Sequence, residues 1–414
     1  MKILHLCYSD TRGGAAKACF RSHLALLNAG VNSNILTCLP TKNNDRNVTC
    51  YSNTLLKQIW RKLLKVSSLA IVKVFQKTSN ADLHTFEIFS VINAEKLNKS
   101  DADIIHLHWV NYCMLGIKEI KKIKKPIVWT FHDMWAFMGC EHYDDLNSPF
   151  RYENEYLPEN KNVKGLDLNR FIWKMKNKHF KNTHFQILTP SKWLKDCVNQ
   201  SALLKEKPVE LIPYTISESA FYTQDKILMR KKLGYPLDKR LILFGAFNAI
   251  SFNKGGDLLY KALEKINRDD VEFIIFGAST GKDITGIKTH FAGYIREEAK
   301  LNEIYNACDV MVVPSRQDNL PNTVLEAIAC GIPVLGFNIG GLPDMVVHKK
   351  NGYLAKPFEI DDLIFGLNYI LDNPNKEDFA MNCRRHFDSN YSEKIIVNKL
   401  LDLYNRVLDN GKLM

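Results

Sequence analysis

The chain has 414 residues, is 46% apolar and carries a formal net charge of +11, enough material for about two or three domains. It contains no run of about 18 apolar residues, which excludes a transmembrane helix by hydropathy, and its opening MKILHLCYSD turns polar too soon for a signal peptide. Ten cysteines are scattered without a C-x2-C pair, so neither a zinc site nor a disulfide framework is signalled, and a reduced, cytoplasmic setting is expected.

Residues 3–7 read as an apolar strand. Ser9-Asp10-Thr11-Arg12-Gly13-Gly14 then turns the chain into a helix that ends at Asn28-Ala29-Gly30. A glycine turn between a first strand and a first helix lets backbone approach a ligand closely; a plain tight turn is the alternative. Residues 33–38 read as the second strand. The segment 57–77 carries Lys57, Arg61, Lys62, Lys65, Lys73 and Lys77 and no acid, with Ile59, Trp60, Leu63, Leu64, Leu69 and Val72 at helical spacing. A second basic cluster, KEIKKIKK, lies at 118–125. A solvated face, an anionic membrane surface and nucleic acid compete as explanations. With no zinc-finger, homeodomain or RNA-recognition signature, nucleic acid is the weakest.

Residues 103–108 and 127–131 read as the third and fourth strands. They deliver His108 and His132 to their carboxyl ends, where open α/β sheets bind ligands; satisfied structural histidines are the alternative. The one Asp-x-Asp, Asp101-Ala102-Asp103, starts the third strand, the wrong end for a ligand, and reads as a turn. Residues 144–164 read as an open loop insertion, followed by a helix over 167–180. A strand at 185–189, a helix from Lys192 capped by Pro190-Ser191, and a strand at 209–212 lead into a linker at 213–217.

The second half repeats the alternation. A strand at 241–245 precedes Lys254-Gly255-Gly256, which opens a helix over 257–266; strands follow at 271–276 and 309–313, with a helix at 297–307 between them. After residue 313 comes a polar loop with Arg316, Gln317 and Asp318. Asn319 is expected to cap the next helix, with Pro321 in its first turn, and Gly331-Ile332-Pro333 to stop it. A buried strand at 334–337 leads through Asn338-Ile339-Gly340-Gly341 into another helix. Free N–H groups at both helix starts favour an anion. Asp318 and Glu326 stand eight residues apart, and helical side chains tilt toward the N-terminus, so Glu326 can lean toward Asp318. Two carboxylates beside an anion site suit a ligand with hydroxyls and phosphates, such as a nucleotide sugar; a loop cap and a solvated helix residue are the alternative. Strands alternating with helices in both halves imply an α/β protein with two doubly wound parallel sheets.

The run Asp318-x7-Glu326, Ala327-Ile-Ala329-Cys-Gly331-Ile-Pro333-Val334 and Gly340-Gly341 resembles the donor-binding motif of retaining GT-B glycosyltransferases of family 4 (glycosyl transferases group 1), with Asp318 where that family most often has Glu. FHDMWAF around His132, TPSKWLKD and Lys254-Gly255 resemble further segments of the same family, so the resemblance covers nearly the whole chain. It implies a GT-B fold of two Rossmann-like domains facing across a cleft, residues 1–214 for the acceptor and 215–390 for the donor, with a terminal helix at 391–414 packed back on the first. It implies a retaining transfer of a hexose from a nucleotide-diphosphate sugar to an acceptor hydroxyl, with no metal or other cofactor, in bacterial capsule, exopolysaccharide or lipopolysaccharide synthesis.

By the same resemblance His132, Asp318 and Lys254 carry catalysis: His132 faces the donor sugar, Asp318 holds its hydroxyls and Lys254 the diphosphate. Donor contacts fall on Gly13, Gly14, Lys254, Asp318, Asn319, Leu320, Asn322, Thr323, Glu326 (the ribose hydroxyls) and Gly340. Ala246-Phe247 occupies the place of the family's diphosphate-binding Arg, for which Arg316 or backbone N–H groups are candidate substitutes. Two alternatives stay open: a nucleotide-sugar 2-epimerase on the same fold, against which the open loop 144–164 argues, and a non-catalytic partner subunit. The implied partners are a nucleotide sugar, a glycan or lipid-linked acceptor and an anionic membrane surface at the inner face of the cytoplasmic membrane, without nucleic acid.

Overall fold

The structure, a computed structural model, describes all residues except 42–44, 76, 79, 81, 158–162, 165, 246–251, 279, 281–283, 285 and 412–414. The chain forms two compact units, Met1–Pro213 with Val397–Met414, and Tyr214–Ile396.

The strands of the first unit are β1 (Lys2–Leu6), β2 (Asn32–Thr37), β3 (Val48–Cys50), β4 (Lys77–Thr78), β5 (Ile104–Leu107), β6 (Ile127–Thr130), β7 (Val163–Lys164), β8 (Gln186–Thr189) and β9 (Val209–Leu211). Seven of them build one parallel sheet in the order β3-β2-β1-β5-β6-β8-β9, while β4 and β7 form a separate antiparallel pair. Runs such as Ile104–Leu107 and Ile127–Thr130 are buried throughout, the pattern of parallel strands covered on both faces. The strand order reverses between β1 and β5, which defines the switch point of a doubly wound sheet. Tyr8 follows β1 at its carboxyl end, donating its N–H to Trp109 (2.9 Å) and accepting from Cys38 (3.2 Å). The Asp101-Ala102-Asp103 turn lies at the opposite edge, tied to Lys2 by its side chain (2.9 Å) and its N–H (2.7 Å).

Two expectations for this unit are corrected. The helix Leu55–Phe75 buries Arg61, Leu64 and Ser68 and turns Leu55, Leu56, Ile59, Trp60, Leu63 and Val66 outward. Spacings of three and seven residues place Arg61 on the inner stripe with Leu64 and Ser68, so the cations do not all belong to a solvated face. The stretch 144–157 is a loop of turns that exposes Leu146 and Phe150, but it is anchored rather than open. Its Tyr152 and Tyr156 are buried, Tyr156 donates to Glu141 (2.7 Å) and Arg151 pairs with Asp167 (2.6 Å). Aromatic surface of this size is driven inward once its polar ends find partners. The buried Lys176 of the helix Leu168–Phe180 caps the carbonyls of Met138 (3.0 Å) and Gly139 (2.7 Å) beside it.

The second unit holds β10 (Arg240–Gly245), β11 (Val271–Phe276), β12 (Thr289–Gly293), β13 (Val310–Val313), β14 (Val334–Phe337) and β15 (Gly352–Ala355). All are parallel, in the order β12-β11-β10-β13-β14-β15, and this order reverses between β10 and β13. Asp309, just before β13, accepts from Lys226 (2.8 Å), Arg230 (2.6 Å) and the Leu241 N–H (2.7 Å), locking the lower edge. The helices Ile360–Leu371 and Lys376–Asn390 complete this unit. The helix Glu393–Gly411 starts here, and from Val397 onward belongs to the first unit, where Tyr404 meets His106 Nδ1 at 2.7 Å. No helix among the described residues is long and apolar enough to cross a membrane.

Candidate active site

The carboxyl edge of the second sheet carries the densest set of candidate residues. β13 ends at Val313, beside the β10/β13 reversal, and the chain enters the loop Pro314-Ser315-Arg316-Gln317-Asp318. Asp318 is buried, and its Oδ2 accepts from Lys254 Nζ (2.6 Å) and Ser315 Oγ (3.1 Å). Lys254 closes a short 3-10 turn, Phe252–Lys254, and keeps nearly half of its side chain in solvent. It is thus no idle surface lysine but the open end of an ion pair whose other end is buried.

Two glycines allow this approach. A Cβ on Gly255 would stand 1.8 Å from the Pro314 carbonyl oxygen, and one on Gly340 2.1 Å from that of Asp318. Both also have positive φ, 64° and 53°, where side-chain-bearing residues are strained. The turns bearing Lys254 and Gly340 can therefore press on the same loop, and Gly341 donates its N–H to the Asp318 carbonyl (3.1 Å).

Arg316 is committed elsewhere. It grips Asp257 with two bonds of 2.7 Å, donates to the Phe252 carbonyl and lies 4.1 Å from the Phe252 ring centroid. The Arg316 guanidinium in turn holds the Asp257 carboxyl below its usual range. Arg316 therefore staples the Lys254 turn to the loop, which the sequence conceals because Arg316 and Asp257 lie 59 residues apart. Ala246 and Phe247, at the place of the family's Arg, lie outside the described residues.

The helix after Asp318 runs Asn322–Ala329, with Pro321 extended (φ −63°, ψ 121°) at its N-cap and no side-chain cap. This corrects the expectation that Asn319 caps it: Asn319 and Leu320 are buried before the helix begins, two and one positions upstream of that proline. Asn322 and Thr323 supply the first helical N–H groups, the positive end of the helix. The helix after Gly340-Gly341 is only the single turn Leu342–Met345. Glu326 is 1% exposed and accepts from the Tyr305 hydroxyl (2.8 Å), which rules out a solvated helix residue. Ser315, Tyr305 and the Arg316–Asp257 staple were not anticipated; only Ser315, within the loop itself, left a local signal.

Gly13, Gly14 and His132 belong to the first unit. Gly13 caps the helix Gly14–Asn28 with φ 93°. The half-buried His132 meets His108 (Nε2 to Nδ1, 3.1 Å), and His108 meets His5 (Nε2 to Nδ1, 3.0 Å), forming a file of three rings. Burial pushes His132 down to about 4, against the pull of Asp133, and drives His5 and His108 well below their ordinary value. The file is neutral near pH 7. Burial works to raise the neighbouring Asp133 carboxyl, but His142 and the N–H groups of Trp135 and Trp109 hold it low; its Oδ2 lies 2.7 Å from His142 Nδ1 and 3.0 Å from Trp109 Nε1. Among the described residues, His5, Cys19 and His108 form a group whose ligand atoms lie within 4.8 Å of one another, deep in this unit.

Two doubly wound parallel sheets, one with a lysine–aspartate pair and a helix start at its switch point, define a GT-B glycosyltransferase. The sucrose-phosphate synthase of Thermosynechococcus elongatus has the same fold, with a TM-score of 0.70 and 18% identity over 99% of this chain and 100% of that one. The Anabaena protein HepE, solved in complex with UDP-glucose, matches with a TM-score of 0.66 and 16% identity over 98% and 100%. The family description Glycosyltransferase Family 4 matches residues 13–219, half of the chain, and Glycosyl transferases group 1 matches 225–386. The chain belongs to this glycosyltransferase family. An uncharacterized glycosyltransferase of Methanocaldococcus jannaschii is 25% identical over 353 residues, 79% of this chain and 88% of that protein. A D-inositol 3-phosphate glycosyltransferase of Xylanimonas cellulosilytica is 33% identical over 141 residues, 31% of this chain and 33% of that protein.

Proposed function

We propose that the chain is a retaining, metal-independent hexosyltransferase that uses a nucleotide-diphosphate sugar. The observation that carries this reading is the Lys254–Asp318 pair at the β10/β13 switch point, next to the N–H groups of Asn322 and Thr323. A diphosphate leaving group gains charge as the sugar–phosphate bond breaks, and fixed donors aimed at that charge lower the barrier. Lys254 turns to the diphosphate when donor arrives, freeing Asp318 to accept from the sugar hydroxyls. Glu326, aimed by Tyr305, accepts from the ribose hydroxyls. The acceptor oxygen attacks the anomeric carbon on the face the phosphate leaves, its proton passing to the departing phosphate oxygen. This route needs no protein nucleophile. In support, the structural relative HepE is described in complex with UDP-glucose, and another, WaaG, as involved in lipopolysaccharide biosynthesis; surface polysaccharide assembly in a bacterium is the proposed setting.

The test is a screen of UDP-, GDP- and ADP-sugars for thermal stabilisation of the full chain. At least one stabilises the native protein and not Asp318→Asn; stabilisation by none of them overturns the reading.

The acceptor unit also offers a membrane contact. Leu56 is 80% and Trp60 55% exposed, flanked by exposed Lys62 and Lys73. Such a face enters the lipid interface, and each cation near an anionic surface adds about 1 kcal/mol.

A further inference from the structure

Arg61 is 7% exposed yet charged, on the inner stripe of the helix Leu55–Phe75. Its Nη1 donates to the Tyr8 hydroxyl at 2.9 Å, while its buried Nε finds no acceptor. One turn further on, Lys65 Nζ stands 3.8 Å from the centroid of the Tyr112 ring and 5.7 Å from that of Tyr8. Burial and the like charges of Arg61 and Arg12 lower the Lys65 pKa. Among the described residues no carboxylate pairs with Arg61 or Lys65. A buried guanidinium without a counter-charge is costly, and proteins keep such groups where an anion completes them.

The position is that of a ligand site. Tyr8 sits at the carboxyl end of β1, held between Cys38 and Trp109, at the reversal of strand order where open α/β sheets bind ligands. Tyr8, Trp109 and Tyr112 form an aromatic wall, their ring centroids 4.8 to 6.1 Å apart.

We infer that Arg61 and Lys65, with the Tyr8 hydroxyl, bind a phosphoryl group carried by the acceptor. This rests on the transferase reading and narrows it: the acceptor is a phosphorylated sugar or polyol, free or lipid-linked. Arginine forks suit phosphate oxygens, and lysine adds a point charge.

The test measures binding to the full chain by calorimetry with inorganic phosphate, with glycerol 3-phosphate, and by flotation with phosphatidic acid vesicles against phosphatidylcholine vesicles. Lys65 is half-buried, so Lys65→Gln keeps the fold, as a circular dichroism melt verifies. It weakens inorganic phosphate binding by about tenfold or more, the loss of one charge-assisted contact, and Lys65→Arg restores it. Binding of glycerol 3-phosphate marks a soluble acceptor; selective flotation with phosphatidic acid, lost in Lys65→Gln, marks a lipid-linked one. Donor stabilisation is followed in the same variants and stays unchanged. Phosphate binding without any transfer leaves the subsite standing and sinks only the transferase role assigned to it. Absence of phosphate binding, or equal affinity in Lys65→Gln and native protein, overturns the inference.

Discussion

Lys254 and Asp318 show how a residue's role changes once its partner is known. Their separation of 64 residues hides the pair in the sequence, although each stood out alone, Asp318 by its spacing to Glu326 and Lys254 by the glycines after it. Replacing Lys254 with Ala should lower turnover by about 10²-fold, the scale of a lost transition-state charge contact, with a melting curve showing that the fold survives. Glu326→Gln keeps the acceptor that Tyr305 needs but removes the charge. It should weaken donor binding by about 1.5–3 kcal/mol in calorimetry, the worth of a hydrogen bond to a charged group; unchanged affinity would take Glu326 out of the site. The cap expected at Asn319 shows the limit of local signals: Pro321 sets the helix start two residues later, because its fixed φ and missing N–H suit the boundary better than an asparagine side chain does.

Among the elements, the strands were the most legible, since buried parallel strands are short apolar runs bounded by turns. β15 and the helices Ile360–Leu371 and Lys376–Asn390 were not read at all; Gly352–Ala355 is too short and too mixed to stand out. The helix Leu55–Phe75 was legible in its period but not in its orientation, because both of its faces carry apolar residues. Its outward face gives a prediction: Leu56→Ser, Trp60→Ser and Leu63→Ser together should abolish flotation with anionic vesicles while leaving donor stabilisation intact. Equal flotation of native and triple-variant chains would remove the membrane from the account.

Glu141, the acceptor of the Tyr156 hydroxyl, carries a pH dependence. Burial pushes Glu141 up to about 8. The folded chain keeps that proton where the unfolded one loses it, so Glu141's contribution is full below about 4.5 and fades as pH rises toward 8. His132, pushed down to about 4, and His106, to about 3, act oppositely. Their contribution is full above about 6.5 and is lost as pH falls through the acid range. Glu141→Gln removes only the falling arm, so its thermal midpoint should climb more steeply than that of the native chain between pH 5 and 6.5, in about the range where both arms act. A parallel pair of curves would show that Glu141 is already ionised in the fold.

At the scale of the molecule, two doubly wound units were foreseeable from alternating strands and helices alone, whereas the donor and acceptor assignments came from motif resemblance, since neither sheet differs from the other in its pattern. Extensive treatment with a chelator should leave transfer unchanged; its abolition, restored by one added divalent ion, would overturn the metal-independent reading.

The helix Glu393–Gly411 has a consequence for biogenesis. The first unit is assembled from Met1–Pro213 and Val397–Met414, with the whole of the second between them. Translation is vectorial, so the sheet holding His106 leaves the ribosome long before Tyr404, the residue that meets it. The second unit is continuous in sequence, while the earlier-made one waits with an uncovered face and remains a client for chaperones until residue 404 is available to it. A released chain that ends at Ile396 should therefore show a protease-resistant second unit beside a cleavable first one.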